Sequence, residues 1–298
     1  MKNWIHAARP RTLPLAFSST LMGSFLAWHD KPFKTAVFLL ALLTTLFLQV
    51  LSNLANDYGD SVNGMDNAHR IGPQRAVQSG AITTKSMFTG IIITSLLALI
   101  SGILLIAYGF EFQFSIGGIV FFILGLSALA AAIKYTIGKK PYGYIGFGDL
   151  FVFLFFGLTG VLGTYYLHTR YFYWPLILPA SAVGFLSTAV LNLNNMRDIE
   201  GDKLSGKRTL VVILGSNKAH YYHLLLVIAA WICMIGYTLI HYEFPIQWIY
   251  LVTLPFFVIH VRKIFLIDKP VALDPQLKKL ALATFATVIL YGIGMMLC

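Results

Sequence analysis

Two short stretches of this chain gather carboxylates and carboxamides at helical spacing. The first reads Asn53-Leu54-Ala55-Asn56-Asp57-Tyr58-Gly59-Asp60, the second Asn194-Asn195-Met196-Arg197-Asp198-Ile199-Glu200-Gly201-Asp202. Of the 12 acidic residues in 298, six (Asp57, Asp60, Asp66, Asp198, Glu200 and Asp202) lie in or just after these knots. Asn53, Asp57 and Asp60 fall at i, i+4 and i+7, and Asn194, Asp198 and Asp202 at i, i+4 and i+8. On a continuing helix each set shares one face. Two such faces brought together offer four carboxylates, Asp57, Asp60, Asp198 and Asp202, with amide oxygens beside them. Hard oxygen donors without His or Cys point to Mg2+, which binds through a few carboxylates plus substrate phosphates. The chemistry suggested is that of a metal–diphosphate complex. A single knot of this kind serves equally well as a polar helix cap. Two of matching spacing, at the ends of apolar segments where carboxylates are costly, are expected to be used.

Cations surround the knots. Arg70-Ile71-Gly72-Pro73-Gln74-Arg75 follows the first; Arg197 lies within the second, with Lys207 and Arg208 after it. Lys134, Lys139 and Lys140 form another group, and Arg9 and Arg11 stand near the amino terminus. Any of them could clamp diphosphate oxygens, arginine by a bidentate fork and lysine as a point charge. Arg75, Arg197 and Lys140 are favoured because they lie in or beside polar, glycine-rich motifs. Gly201-Asp202-Lys203-Leu204-Ser205-Gly206-Lys207 has the spacing of a phosphate-binding P-loop, but Arg208 follows instead of Ser or Thr and no strand precedes it, so that reading fails. Aromatic residues crowd one region: Tyr142, Tyr144, Phe147, Phe151, Phe153, Phe155 and Phe156. Their faces could stabilise an allylic cation. Asp149, in the same run, could hold a substrate hydroxyl, act as a base, or cap a helix.

The elements that position these residues follow from composition. The chain is 57% hydrophobic and 11% charged with mean hydropathy +0.74, which excludes an ordinary soluble domain. Runs long enough to cross a bilayer are expected at 12–29, 35–57, 86–109, 113–135, 147–167, 173–196, 218–241, 244–262 and 277–297. Each must be helical to satisfy its own backbone. The fold class is therefore all-α, a polytopic bundle of nine transmembrane helices. With the amino terminus cytoplasmic, 19 of the 22 Lys and Arg residues fall in inner segments, and only Lys31, Lys34 and Arg170 fall outside. This positive-inside alternation accounts for the net charge of +10 without nucleic acid, and places both knots on the cytoplasmic side. The knots start 141 residues apart with a shared Asn-x-x-x-Asp, a spacing that suggests duplication of a four-helix unit. Cys233 and Cys298 fit no ligand spacing and read as buried small hydrophobes. No cleavable signal peptide is expected.

With these motifs the chain resembles the UbiA-type intramembrane aromatic prenyltransferases over nearly its whole length. The resemblance rests on Ala8-Arg9-Pro10-Arg11-Thr12-Leu13, on Asn53 through Asp60 with Gly64 and Asp66, and on Gly72-Pro73-Gln74-Arg75. It continues through Tyr135-Thr136, Pro141-Tyr142-Gly143-Tyr144, Asn194-Asn195-Met196-Arg197-Asp198 and Gly206-Lys207-Arg208-Thr209-Leu210. The Pro-Tyr-Gly-Tyr and Asn-Asn-x-Arg-Asp forms are similar to the naphthoate branch. Departures are Asn194, where much of the superfamily has Asp, and Asp149, where that branch commonly has Glu.

The resemblance implies a central cavity capped by cytoplasmic loops, with Asp57, Asp60, Asp198 and Asp202 holding Mg2+ on the diphosphate of a polyprenyl donor. Arg9, Asn53, Asn56, Asp66, Arg75, Lys134, Lys140, Tyr142, Asn194, Arg197 and Lys207 would bind substrate, and Asp149 would join the four aspartates in catalysis. The implied partners are polyprenyl diphosphate, 1,4-dihydroxy-2-naphthoate and the lipid bilayer of the cell (inner) membrane, with loss of CO2 giving demethylmenaquinone. Another aromatic acceptor of the 4-hydroxybenzoate type is the alternative within the class. A cation-coupled transporter would carry its charges near mid-bilayer, where these segments have none. The D-G-x-x-A-R signature of CDP-alcohol phosphotransferases is absent.

Overall fold

The computed structural model describes residues 1–30, 33–65, 72 and 74–298, so Asp66, Arg70, Ile71 and Pro73 lie outside the described residues. Among the described residues there is helix and turn but no strand. The long helices are α1 (Leu13–Asp30), α2 (Thr35–Val62), α3 (Thr84–Gly109) and α4 (Ile116–Lys134). They are followed by α5 (Gly148–Thr169), α6 (Trp174–Leu204), α7 (Ser216–Ile240), α8 (Pro245–Phe265) and α9 (Pro270–Met296). Among the described residues, eight of them, α2 to α9, are long and apolar enough to cross a membrane. The first expected segment is helical as α1, but its apolar run is diluted by Ser18, Ser19, Thr20 and Ser24, all buried inside the bundle.

Helix starts follow local chemistry. Thr83 accepts from the Ser86 amide at 3.2 Å at the head of α3, and Ser115 from Gly118 at 3.1 Å at the head of α4. Each supplies an acceptor that the first turn lacks. The helices bearing the knots are the decisive ones. At 1.5 Å per residue, α2 with 28 residues and α6 with 31 extend about 42 and 46 Å, against a hydrocarbon core of about 30 Å. The surplus turns carry the polar residues, and because both helices run unbroken through their knots, the predicted faces persist.

Two apolar cores flank these turns. The larger joins α1 and α5 to α9 through residues such as Met22, Val161, Leu186, Leu193, Trp231 and Tyr291. The smaller packs the amino-terminal helix Lys2–Ala8 onto α2 and α3 through Ala7, Leu51, Leu54, Met87 and Ile91. A cavity of about 990 Å³ lies between them. α4 closes one side with Phe121, Leu124, Gly125 and Ala128, yet of its 19 residues only Ala131 is buried. Leu105 and Leu167 line the cavity too. They lie near the far ends of helices that begin beside the knots, so the cavity runs most of the way through the bundle.

Close approach of α2 to the segment after α4 depends on Gly59. A Cβ there would lie 2.6 Å from Thr136 Oγ1 and 2.7 Å from its carbonyl oxygen. Gly59→Ala is expected to lower stability by about 1–3 kcal/mol through overpacking, read as a depressed thermal unfolding midpoint in detergent. A wild-type midpoint would show that the two segments are not in the contact described.

Candidate active site

The first knot holds the amino-terminal segment and the loop after α2 in place. Asn53 donates through Nδ2 to the Ala8 carbonyl at 2.9 Å and to Thr12 Oγ1 at 3.1 Å, and Gln49 donates to that same hydroxyl at 3.1 Å. These bonds fix a corner where Arg9 adopts a left-handed φ of 50°, which places Arg9 in the cavity wall. Asp57 is buried and accepts the Ala76 and Val77 amides at 3.0 and 3.1 Å, so its carboxylate caps the turn that follows Arg75. Asn56 Oδ1 accepts from Thr136 Oγ1 at 3.2 Å. Asp60, 2% exposed, is the most heavily compensated group. One of its oxygens pairs with Arg75; the other accepts from the Tyr144 hydroxyl and from Lys207 Nζ at 3.0 Å. Burial, and then the nearby Asp60 charge, push the Tyr144 phenol well above its ordinary pKa, so it stays protonated and donates.

The second knot is organised around Arg197, a cation 2% exposed. Its guanidinium grips Asp198 in bidentate fashion, Nε to Oδ1 at 2.9 Å and NH2 to Oδ2 at 2.7 Å. NH2 also donates to Asn194 Oδ1 at 2.9 Å, and NH1 donates to Asp274 at the head of α9. Arg197 therefore fixes the knot's own side chains and ties α6 to α9.

The two knots meet. Lys207 Nζ lies 3.0 Å from Asp60 and 3.9 Å from Asp202, so one ammonium touches both. Beneath it is the Tyr144 ring, 4.6 Å away, and the Arg208 amide donates to the Tyr144 carbonyl at 2.8 Å. An aromatic row leads from here along the wall. Tyr142, whose hydroxyl donates to the Ala131 carbonyl at 2.8 Å, stacks on Phe151 at 4.1 Å, and Phe155 follows at 6.1 Å. Burial raises the Tyr142 phenol above its ordinary pKa.

Most of the predicted residues share one cavity wall: Arg9, Asn53, Asn56, Asp57, Asp60, Arg75, Tyr142, Asn194, Arg197, Asp198, Asp202 and Lys207. Three others stand apart. Lys134 and Lys140 are exposed outside the lining, because the end of α4 and the turn before Pro141 present them to solvent. Asp149 is buried against Tyr222 of α7 instead of facing the cavity. Asp66 falls outside the described residues. Asp274 and Gln49 line the cavity without having been singled out from the sequence, and Thr12 and Thr136 line it from motifs in which they had no assigned role. Asp274 stands next to Pro275 at a helix start and carried no other signal. Tyr144 stands in the Pro-Tyr-Gly-Tyr motif, but nothing in that motif signals its bond to Asp60.

The donor set suits Mg2+. Its ligands would be oxygen throughout; among the described residues no three His, Cys, Asp or Glu side chains gather closely enough to hold an ion by themselves. A few carboxylates facing a shared space, completed by phosphate and water, are what this ion requires. Removing the Asp274 carboxylate leaves part of a buried guanidinium unanswered. Asp274→Ala is expected to cost about 1–3 kcal/mol of stability and to speed hydrogen exchange at the head of α9. Unchanged exchange there would mean that the Arg197–Asp274 pair does not hold these helices together.

A charged mouth over a long apolar shaft, within a bundle of helices long and apolar enough to cross a membrane, is the architecture of an integral membrane enzyme. The UbiA prenyltransferase family model matches residues 16–286, and the chain belongs to that family. It is 43% identical over 294 residues to the 1,4-dihydroxy-2-naphthoate octaprenyltransferase of Escherichia coli K12, covering 99% of this chain and 95% of the relative. Its fold is similar to that of a UbiA homologue from Aeropyrum pernix K1 (TM-score 0.67, 16% identity, 98% of this chain and 97% of that one). It is also similar to a UbiA homologue from Archaeoglobus fulgidus bound to GPP and Mg2+ (TM-score 0.64, 16% identity, 99% and 100%).

Proposed function

We propose that this protein transfers a polyprenyl group from polyprenyl diphosphate to 1,4-dihydroxy-2-naphthoate, with loss of CO2, on the cytoplasmic side of the cell membrane. The observation that carries this reading is the joining of both acidic knots, their cations and an apolar shaft in one cavity. The acceptor named for the Escherichia coli relative supports the naphthoate. The Archaeoglobus homologue's GPP and Mg2+ support the donor class and the metal.

The energetics favour such a layout. Each buried CH2 of the tail is worth about 0.8 kcal/mol against water, so the tail stays in the shaft and the lipid while the diphosphate rests at the mouth. Asp57, Asp60, Asp198 and Asp202 would hold Mg2+, which when bound neutralises diphosphate charge as the allylic C–O bond breaks. Arg9, Arg75 and Lys207 add positive charge where the departing diphosphate gathers negative charge. Arg197 holds Asp198 in position. The faces of Tyr142, Phe151 and Phe155 border the path of the allylic cation. The electron-rich naphthoate ring attacks that cation through its carboxylate-bearing carbon. In the net substitution the carboxylate is lost as CO2, leaving its bonding pair to the ring, and the diphosphate freed by C–O cleavage is released. The product is the hydroquinone form of demethylmenaquinone, which a separate two-electron oxidation converts to the quinone.

Purified protein in detergent, given Mg2+, a polyprenyl diphosphate and 1,4-dihydroxy-2-naphthoate, is expected to release diphosphate, CO2 and prenylated naphthoquinol. Asp198→Ala or EDTA should each slow turnover by at least about a hundredfold. Product from 4-hydroxybenzoate alone would keep prenyl transfer and change the acceptor. Folded protein that turns over no acceptor would sink the proposal.

A further inference from the structure

Lys207 owes its position to the way α6 ends. Gly206 adopts a left-handed φ of 79°; its amide donates to the Lys203 carbonyl at 3.1 Å, and the Lys207 amide to the Asp202 carbonyl at 2.9 Å. This closure of a helix terminus turns the chain back, and the Lys207 side chain lies over the helix it has just left, 12% exposed. Its ammonium sits in a three-sided bed made by Asp60 Oδ1 at 3.0 Å, Asp202 Oδ1 at 3.9 Å and the Tyr144 ring at 4.6 Å. The bed is built from three separate parts of the chain: the end of α2, the Pro141–Tyr144 turn and the last turn of α6.

That position lies between the two sets of carboxylates that would hold the metal. An ammonium and a hydrated divalent cation are drawn to the same oxygens and repel one another. Lysine differs here from its neighbour Arg75, whose guanidinium also donates to the Asn56 carbonyl. A lysine has a flexible stem, a compact charge and no fixed fork, so it can exchange carboxylate oxygens for phosphate oxygens by rotation alone.

Building on the proposed metal–diphosphate site, we infer that Lys207 is a resident counter-cation: it occupies the gap between the knots when no donor is bound, and moves onto the diphosphate when the metal arrives with it. The consequence is opposite effects of the same residue. Without donor, Lys207 competes with the metal and keeps the mouth neutral. With donor, it adds to diphosphate binding. Metal and donor are thereby made to enter together.

The test is binding of Mn2+ to the full-length protein in detergent, followed by the electron paramagnetic resonance signal of the free ion. It is run alone and with geranyl S-thiodiphosphate, whose C–S bond resists ionisation. Lys207→Met is expected to bind Mn2+ about tenfold more tightly than wild type without the analogue and to bind the analogue more weakly. Lys207→Arg, which keeps the charge, should stay close to wild type, and Lys218→Met, at an exposed lysine of α7, should change nothing. Lys207→Gln serves as the neutral variant if the Met variant does not fold. Mn2+ affinity of a folded neutral variant that is unchanged or weaker without the analogue overturns the inference. Wild-type protein that binds neither Mn2+ nor the analogue overturns the proposed function itself.

Discussion

A carboxylate buried at the end of a membrane helix stays charged only where cations and hydrogen-bond donors replace the water it has lost. Asp60 shows how much structure that demand organises. Arg75 comes to it from the loop after α2, Tyr144 from the turn after α4, and Lys207 from the loop after α6. Three connections far apart in the chain thus converge on one side chain, and their convergence builds the cavity's mouth. Arg197 imposes the same condition with the sign reversed, drawing Asn194, Asp198 and Asp274 around a guanidinium that has left water. Removing one member of such a set leaves its partners stranded, which couples the stability of the mouth to its chemistry.

The cations of the mouth are not equivalent. Arg197 is enclosed by its partners and acts on the site by orienting Asp198. Lys207 and Arg75 pair with Asp60 and line the cavity. Asp57 adds a further link, because its two oxygens hold the backbone turn that follows Arg75. The two carboxylates of the first knot, Arg75 and the turn after it are therefore parts of one connected assembly.

Much of this was legible in the sequence because a bilayer reduces folding to nearly one dimension. Span length, the alternation of Lys and Arg, and the helical period together place Asn53, Asp57 and Asp60 on one face and Asn194, Asp198 and Asp202 on another. Both faces line the cavity in the structure. What escaped depends on packing in three dimensions. The partnership of Arg197 with Asp274 spans 77 positions, and no local pattern announces it. Lys134, Lys140 and Asp149 have suitable chemistry and suggestive neighbours, but the rotation of their segments turns them to solvent or to Tyr222. The hydroxyl-rich α1 is a helix whose polarity makes sense only when its burial against other helices is known.

The outlying position of α4 bears on how such a protein is handled. With Ala131 as its only fully buried residue, that helix has little protein core to rest on, although its inner face forms one wall of the cavity. Ile119, Phe122, Ile123 and Leu126 are exposed along this helix, so the surrounding amphiphile borders a wall of the cavity. To choose a detergent is then to choose part of the cavity's shape, and changes in turnover between micelles and bilayers report the mechanics of a wall one helix thick.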